Sequence, residues 1–166
     1  MGDIPPPQSS PPKLPSPPSE MEAKHYYDGL PSAPVLVART STTPWKKPTG
    51  PEADQAGKEL RPASHPILGE IWRDTLAPKA IDLLDSMNVK WTSLDIVRIG
   101  IAEEYFAPVI LWIGVIPASL SGRDGVDAAF KCRKLLVDHD ITDVEVEIRE
   151  SIVKNYWGSA AYFAPS

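Results

Sequence analysis

Apolar and polar positions change their period twice between residues 92 and 148, and that change predicts most of the fold. "TSLDIVRIG" at 92–100 is rich in β-branched residues and reads as a strand. "VILWIGVI" at 109–116 is apolar on both faces, as a central strand covered on each side must be. In "GRDGVDAAFKCRKLLVDHD", residues Val126, Ala129, Phe130, Leu136 and Val137 recur at helical spacing and give one buried helix face. "DVEVEIRESIV" then alternates strictly: Val144, Val146 and Ile148 point inward, and Glu145, Glu147 and Arg149 point outward. That is the pattern of a half-exposed strand. Upstream, Ile67, Leu68, Ile71 and Trp72 share a helix face, with Pro66 suited to the first helical position and Ser64 or His65 to the cap. Pro78 ends that helix and opens another, striped by Ile81, Leu83, Leu84 and Met87 and stopped at Asn88.

The element order is therefore ααββαβ. A strand–helix–strand crossover sets the last strand parallel to the central one, and the turn-like "AEEYFAP" makes an antiparallel hairpin of the first two. The predicted fold class is α+β, a small mixed three-stranded sheet packed by helices.

Composition adds an appendage to this unit. Thirteen of the 19 prolines fall in the first 51 residues. Residues 1–33 hold too few apolar side chains to offset the entropy of ordering them, so they read as a disordered proline-rich arm that favours polyproline II. Within it, Pro12 and Pro15 frame a minimal PxxP, and Ser10 and Ser16 each precede a proline. Val35, Leu36, Val37 and Trp45 are read as touch-points of a linker lying on the domain surface rather than as an element. The expected organisation is an arm and linker over 1–60, an α+β domain over 61–153 and an aromatic tail over 154–166. Tyr156, Trp157, Tyr162 and Phe163 of that tail have no periodic frame; they either fold back or form an exposed patch.

Charge and cysteine content narrow the chemistry. A net charge of −5, without any run of four basic residues, argues against nucleic acid as a partner. One cysteine, Cys132, leaves no disulfide framework and no multi-cysteine zinc site. No apolar run reaches the length of a membrane span, and no signal-peptide pattern is present, so the expected location is intracellular and away from membranes. "MGDIPPP" has Pro6 where a myristoylation site needs Ser or Thr.

Four blocks carry a resemblance: "ARTSTTPW…PTGPEA…KELRP", "HPI…IWRDTLAPK…LLDSMNVKWTSLDIVRIG", "PVILWIGVIPASLSGRDGVDAAFKC" and "LLVDHDITDVEVEIRES". Over residues 38 to 152 the chain resembles the N-terminal region of a group of uncharacterised basidiomycete fungal proteins. Some longer relatives continue into a trypsin-like serine-peptidase-type module. The resemblance implies an accessory domain and supplies no catalytic residue, because this chain stops before such a module begins.

The stretch "PVILWIGVIPASLSGRDG" poses the main chemical question. A strand, a small-residue loop and a helix start could hold an anion at Ser121, Gly122, Arg123 and Gly125. The spacing matches no phosphate-loop motif, and Asp124 sets a carboxylate in the same turn. "ASLSG" has Ala118 where the nucleophile elbow needs glycine. His25, His65 and His139 fall in the arm, at a helix cap and at a helix end, so no Ser/His pair is indicated. Cys132 sits inside a helix, away from the turn that would activate it. "DHD" at 138–140 does not converge on a metal, and Glu103 and Glu104 have no carboxylate partner. No cofactor is called for. The outward residues Glu145, Glu147 and Arg149 form a candidate face, protected if the strand is an edge or open to a partner strand.

The leading expectation is thus a non-enzymatic accessory or protein-interaction domain, contacting a protein through the arm or the last strand. The alternatives are an anion-binding domain or enzyme built on residues 117–125, and a shortened gene product with no independent function.

Overall fold

The computed structural model describes residue 2 and residues 15–47, 57–101 and 107–151. Expectations for the first PxxP residues, Ser10, Glu103, Glu104 and the 154–166 tail lie outside the described residues.

The fold is mixed α+β, and from residue 66 onward the expected order holds. Helix α2 (Pro66–Ile71) begins where Pro66 and the His65 cap place it: the His65 ring accepts from the Leu68 N–H at 3.1 Å. The other ring nitrogen meets Asp143 at 2.9 Å, tying the helix start to the entry of the last strand. Pro78 opens a second helix as expected, but a continuous helical turn rather than a break leads into it. A π-helical turn over Trp72–Leu76 carries α2 into α3 (Ala77–Ser86), with the Ala77 N–H reaching back to the Trp72 carbonyl. That widening sits just ahead of Pro78, which has no N–H to donate. Asn88 adopts a left-handed φ of 58° and lets the Val89 N–H close on the Leu84 carbonyl at 3.0 Å, the helix stop the sequence predicts.

Strands β3 (Trp91–Ile101) and β4 (Val109–Val115) pair antiparallel. Helix α4 (Gly122–Asp138) then crosses to β5 (Glu145–Glu150), which runs parallel to β4. The sheet, however, has five strands in the order β1-β5-β4-β3-β2, not three. Both extra strands come from the stretch read as arm and linker: β1 (Val35–Arg39) pairs with β5, and β2 (Lys58–Pro62) pairs with β3. So 35–37 form an element after all. Because β1 occupies its outer side, β5 is an interior strand, and the edge-strand expectation for Glu145, Glu147 and Arg149 is corrected.

Each face of the sheet carries its own apolar cluster. Helices α2, α3 and α4 bury Leu68, Leu84, Cys132 and Leu136 against Ala38, Leu111, Ile113, Val146 and Ile148. On the opposite face, Tyr27 and Leu30 join Leu36, Ile99, Ile110 and Trp112. A short helix, α1 (Glu20–His25), capped by Ser19, delivers the two tyrosines that follow it to this second face.

Candidate functional site

β5 alternates apolar and charged residues, so one of its faces must present Glu147 and Arg149. In most half-exposed strands that face meets water. Here the segment after α1 roofs it, leaving Glu147 only 2 % exposed. A buried carboxylate needs partners, and the roof supplies them. The Tyr26 hydroxyl donates to one carboxylate oxygen and the Tyr27 hydroxyl to the other, each at 2.8 Å. Trp112, beside Glu147 on β4, donates its indole N–H to the Tyr27 oxygen at 3.0 Å. The Tyr26 and Tyr27 rings meet edge to face with centroids 4.9 Å apart.

Three cations surround this core and differ in what holds them. Arg39, opposite Glu147 on β1, is fully committed. It binds Glu22 of α1 through Nε at 2.9 Å and Nη2 at 2.8 Å, and it also donates to Ser41 and to the Thr43 carbonyl. Arg149 stacks on Trp112 at 3.3 Å from the ring centroid, and its Nη1 has no acceptor among the described residues. Lys58, the first residue of β2, lies 3.2 Å from the Tyr26 ring centroid and 5.6 Å from that of Tyr27. Among the described residues its ammonium makes no hydrogen bond and no ion pair.

Next to these groups opens a cavity of about 410 Å³. Tyr26, Lys58 and Glu147 line its polar side, and Trp45, Ile99 and Ile110 its apolar side. Burial pushes the Glu147 carboxyl above the usual carboxylate range, against the lowering effect of both tyrosines and Lys58. Burial also lowers the Lys58 ammonium to about 8, against the opposing pull of Glu147. The Tyr26 and Tyr27 hydroxyls are pushed well above their ordinary value by burial and then by the Glu147 charge. Three groups with clear shifts, Tyr26, Lys58 and Glu147, therefore line one cleft, an arrangement common where a site is built.

The raised carboxyl has a defined pH signature. Folding favours the protonated form of Glu147, so the stability that proton contributes is complete below the unfolded carboxyl value and is lost as pH rises through the folded one. Glu147→Gln removes this dependence, and the tyrosine bond it loses adds only a constant offset. Denaturant midpoints of both proteins between about pH 4 and pH 8 should show the native protein losing stability relative to Glu147→Gln as pH rises. Parallel curves would refute the raised carboxyl.

The residues singled out in the sequence are distributed otherwise. Ser121 caps α4 by accepting from the Asp124 N–H at 3.2 Å. A Cβ on Gly122 would meet Pro17 at 2.7 Å, and one on Gly125 would meet the Val37 side chain at 2.6 Å. Those glycines thus let the 15–18 segment and β1 approach the helix start, and Arg123 is exposed beside Pro17. Glu145 is bound by the Thr40 hydroxyl and lies 3.4 Å from Arg133. Burial pushes the Cys132 thiol up to about 12, which leaves no thiolate to act as a nucleophile. The His139 Nδ1 sits 2.9 Å from the Leu135 carbonyl of its own helix, and His25 pairs with Asp28 at 3.0 Å. Of the predicted face, only Glu147 and Arg149 belong to the buried cluster.

Comparison with protein-family models, curated proteins and solved structures found no match. No relative lends this site a role. Tyr26, Tyr27 and Lys58 were missed in the sequence because they lie in the stretch read as arm and linker. The tyrosine pair in "KHYYDG" was the available signal, since aromatic residues are scarce in segments that stay unfolded.

Proposed function

We propose that this chain is a small-molecule-binding domain whose site is the cavity beneath Tyr26. The observation that carries this reading is Lys58, an ammonium in the cavity wall resting on an aromatic face with no hydrogen-bond acceptor among the described residues. Three N–H donors beside the apolar surfaces of Trp45, Ile99 and Ile110 suit a compact, partly apolar molecule that presents an oxygen acceptor. Arg39 is consumed by its own contacts and acts as a staple between α1, β1 and the loop after it.

Amide spectra recorded against a library of small carboxylates, ketones and aldehydes test this reading. Binders should shift the resonances of Tyr26, Lys58, Ile99 and Ile110, and Lys58→Met should weaken binding about tenfold or more, the effect of losing one charged hydrogen bond. A library that binds nowhere, or only at the Arg123 end of α4, would overturn it.

A contact role toward another protein is a second reading, favoured by β2. Its outer side pairs with no strand among the described residues, and Leu60 on it is 48 % exposed.

A further inference from the structure

We propose that Lys58 is a reactive amine that condenses with small carbonyl compounds inside the cavity to form an imine. This deepens the small-molecule reading and rests on it. An amine that acts as a nucleophile must be uncharged, reachable and not already tied to an acceptor. Lys58 meets each requirement through the fold. It is the first residue of β2, placed by a bond from its backbone N–H to the Asp28 carbonyl at 2.8 Å, and its Nζ rests over the Tyr26 ring, with both residues lining the cavity.

Among the described residues no acceptor holds its ammonium protons, as Ser41 and Thr43 hold those of Arg39. The charged groups that act on it are Glu147 of β5, Glu22 of α1 and Asp28, which favour the ammonium, and Arg39 of β1, which opposes it. Burial, with Arg39, outweighs the three carboxylates, so the proton leaves at about 8 rather than in the ordinary lysine range.

The step balances without a further reagent. The amine lone pair attacks the carbonyl carbon and forms the C–N bond, while the C=O pair moves to oxygen, which takes a proton from nitrogen. The carbinolamine then loses that oxygen with the second amine proton as water, and the nitrogen lone pair closes the C=N bond. Trp45, Ile99 and Ile110 give the carbonyl compound's apolar part a wall to lie against.

The test uses the full chain, with propanal as the carbonyl and sodium cyanoborohydride to donate hydride to the imine carbon, fixing a propyl group on nitrogen. Peptide mass mapping follows each lysine over time. Near neutral pH, Lys58 should be labelled about tenfold faster than exposed Lys46 and Lys47. Its rate should level off above a midpoint near 8, while theirs keeps climbing. Glu147→Gln removes the charge that favours the ammonium, so it should move the Lys58 midpoint to lower pH. Labelling of Lys58 no faster than that of Lys46 and Lys47 overturns the inference. If amide spectra still place fragments in the cavity, that failure is one of chemistry and not of the binding site. If Lys58 reacts fast but no fragment binds there, the amine stands and the small-molecule reading falls.

Discussion

Tyr27→Ala should cost about 3–5 kcal/mol of stability, the range for removing a large buried aromatic side chain. Tyr27 is 1 % exposed, and its ring packs at 66° to Trp112 with centroids 5.6 Å apart. Its oxygen also relays two bonds, accepting from the indole of Trp112 and donating to Glu147. Truncation therefore leaves a void, an unsatisfied N–H and a buried carboxylate with one partner fewer. Tyr27→Phe separates these effects. It keeps the ring and removes only the relay, so it should cost about 1–3 kcal/mol, the penalty for stranding buried polar groups. Denaturant unfolding of the three proteins decides the matter. Were residues 15–34 a loose arm laid on a finished domain, both changes would fall within about 0.5 kcal/mol, as surface substitutions do.

That contrast marks where the sequence was legible. The second half of the chain announces itself because its signals are local. The β-branched run of β3, the apolar run of β4 and the stripe of α4 each lie within one element, and the parallel β4–β5 pairing follows from the crossover between them. The caps at His65, Asn88 and Ser121 are local too.

β1 and β2 are not local. "VLVAR" is a strand because Leu36 and Ala38 lie opposite Arg149 and Ile148, more than 100 residues onward, and no periodicity within five residues reports that. "KELRP" has no apolar alternation at all and is held by its ladder to β3. The alternation of β5 was read correctly as two faces, but the conclusion that the charged face meets solvent depended on what covers it. The Tyr26 and Tyr27 hydroxyls satisfy Glu147 as water would have done. Polarity in the pattern says that a side chain has partners, not that the partner is solvent.

The roof is anchored by a contact in which no side chain takes part, and this makes Gly29→Ala the most revealing single substitution. Gly29 has a φ of 105°, in the region that side chains rarely enter. A Cβ there would overlap the backbone nitrogen of Lys58 and stand 2.6 Å from the Gly57 Cα. Both obstacles are backbone, so no rotamer change relieves them. The turn after α1 and the start of β2 would have to part, breaking the bond between the Asp28 carbonyl and the Lys58 N–H.

Strain of this kind costs about 1–3 kcal/mol before any clash is counted, so a loss of at least about 2 kcal/mol is expected. Gly57→Ala is the matched control. Its Cβ would meet only the Gly29 Cα, at 3.3 Å, and a shift of a few tenths of an ångström suffices. The two variants should also differ in the chemistry of Lys58. Moving the start of β2 withdraws the amine from the Tyr26 ring and returns it to water, so in Gly29→Ala the midpoint for its labelling should rise toward the ordinary lysine value. In Gly57→Ala it should stay near 8. A folded Gly29→Ala protein that kept the low midpoint would mean that the perturbed amine does not depend on the welded turn, and the route from sequence to site would have to be sought in Tyr26 alone.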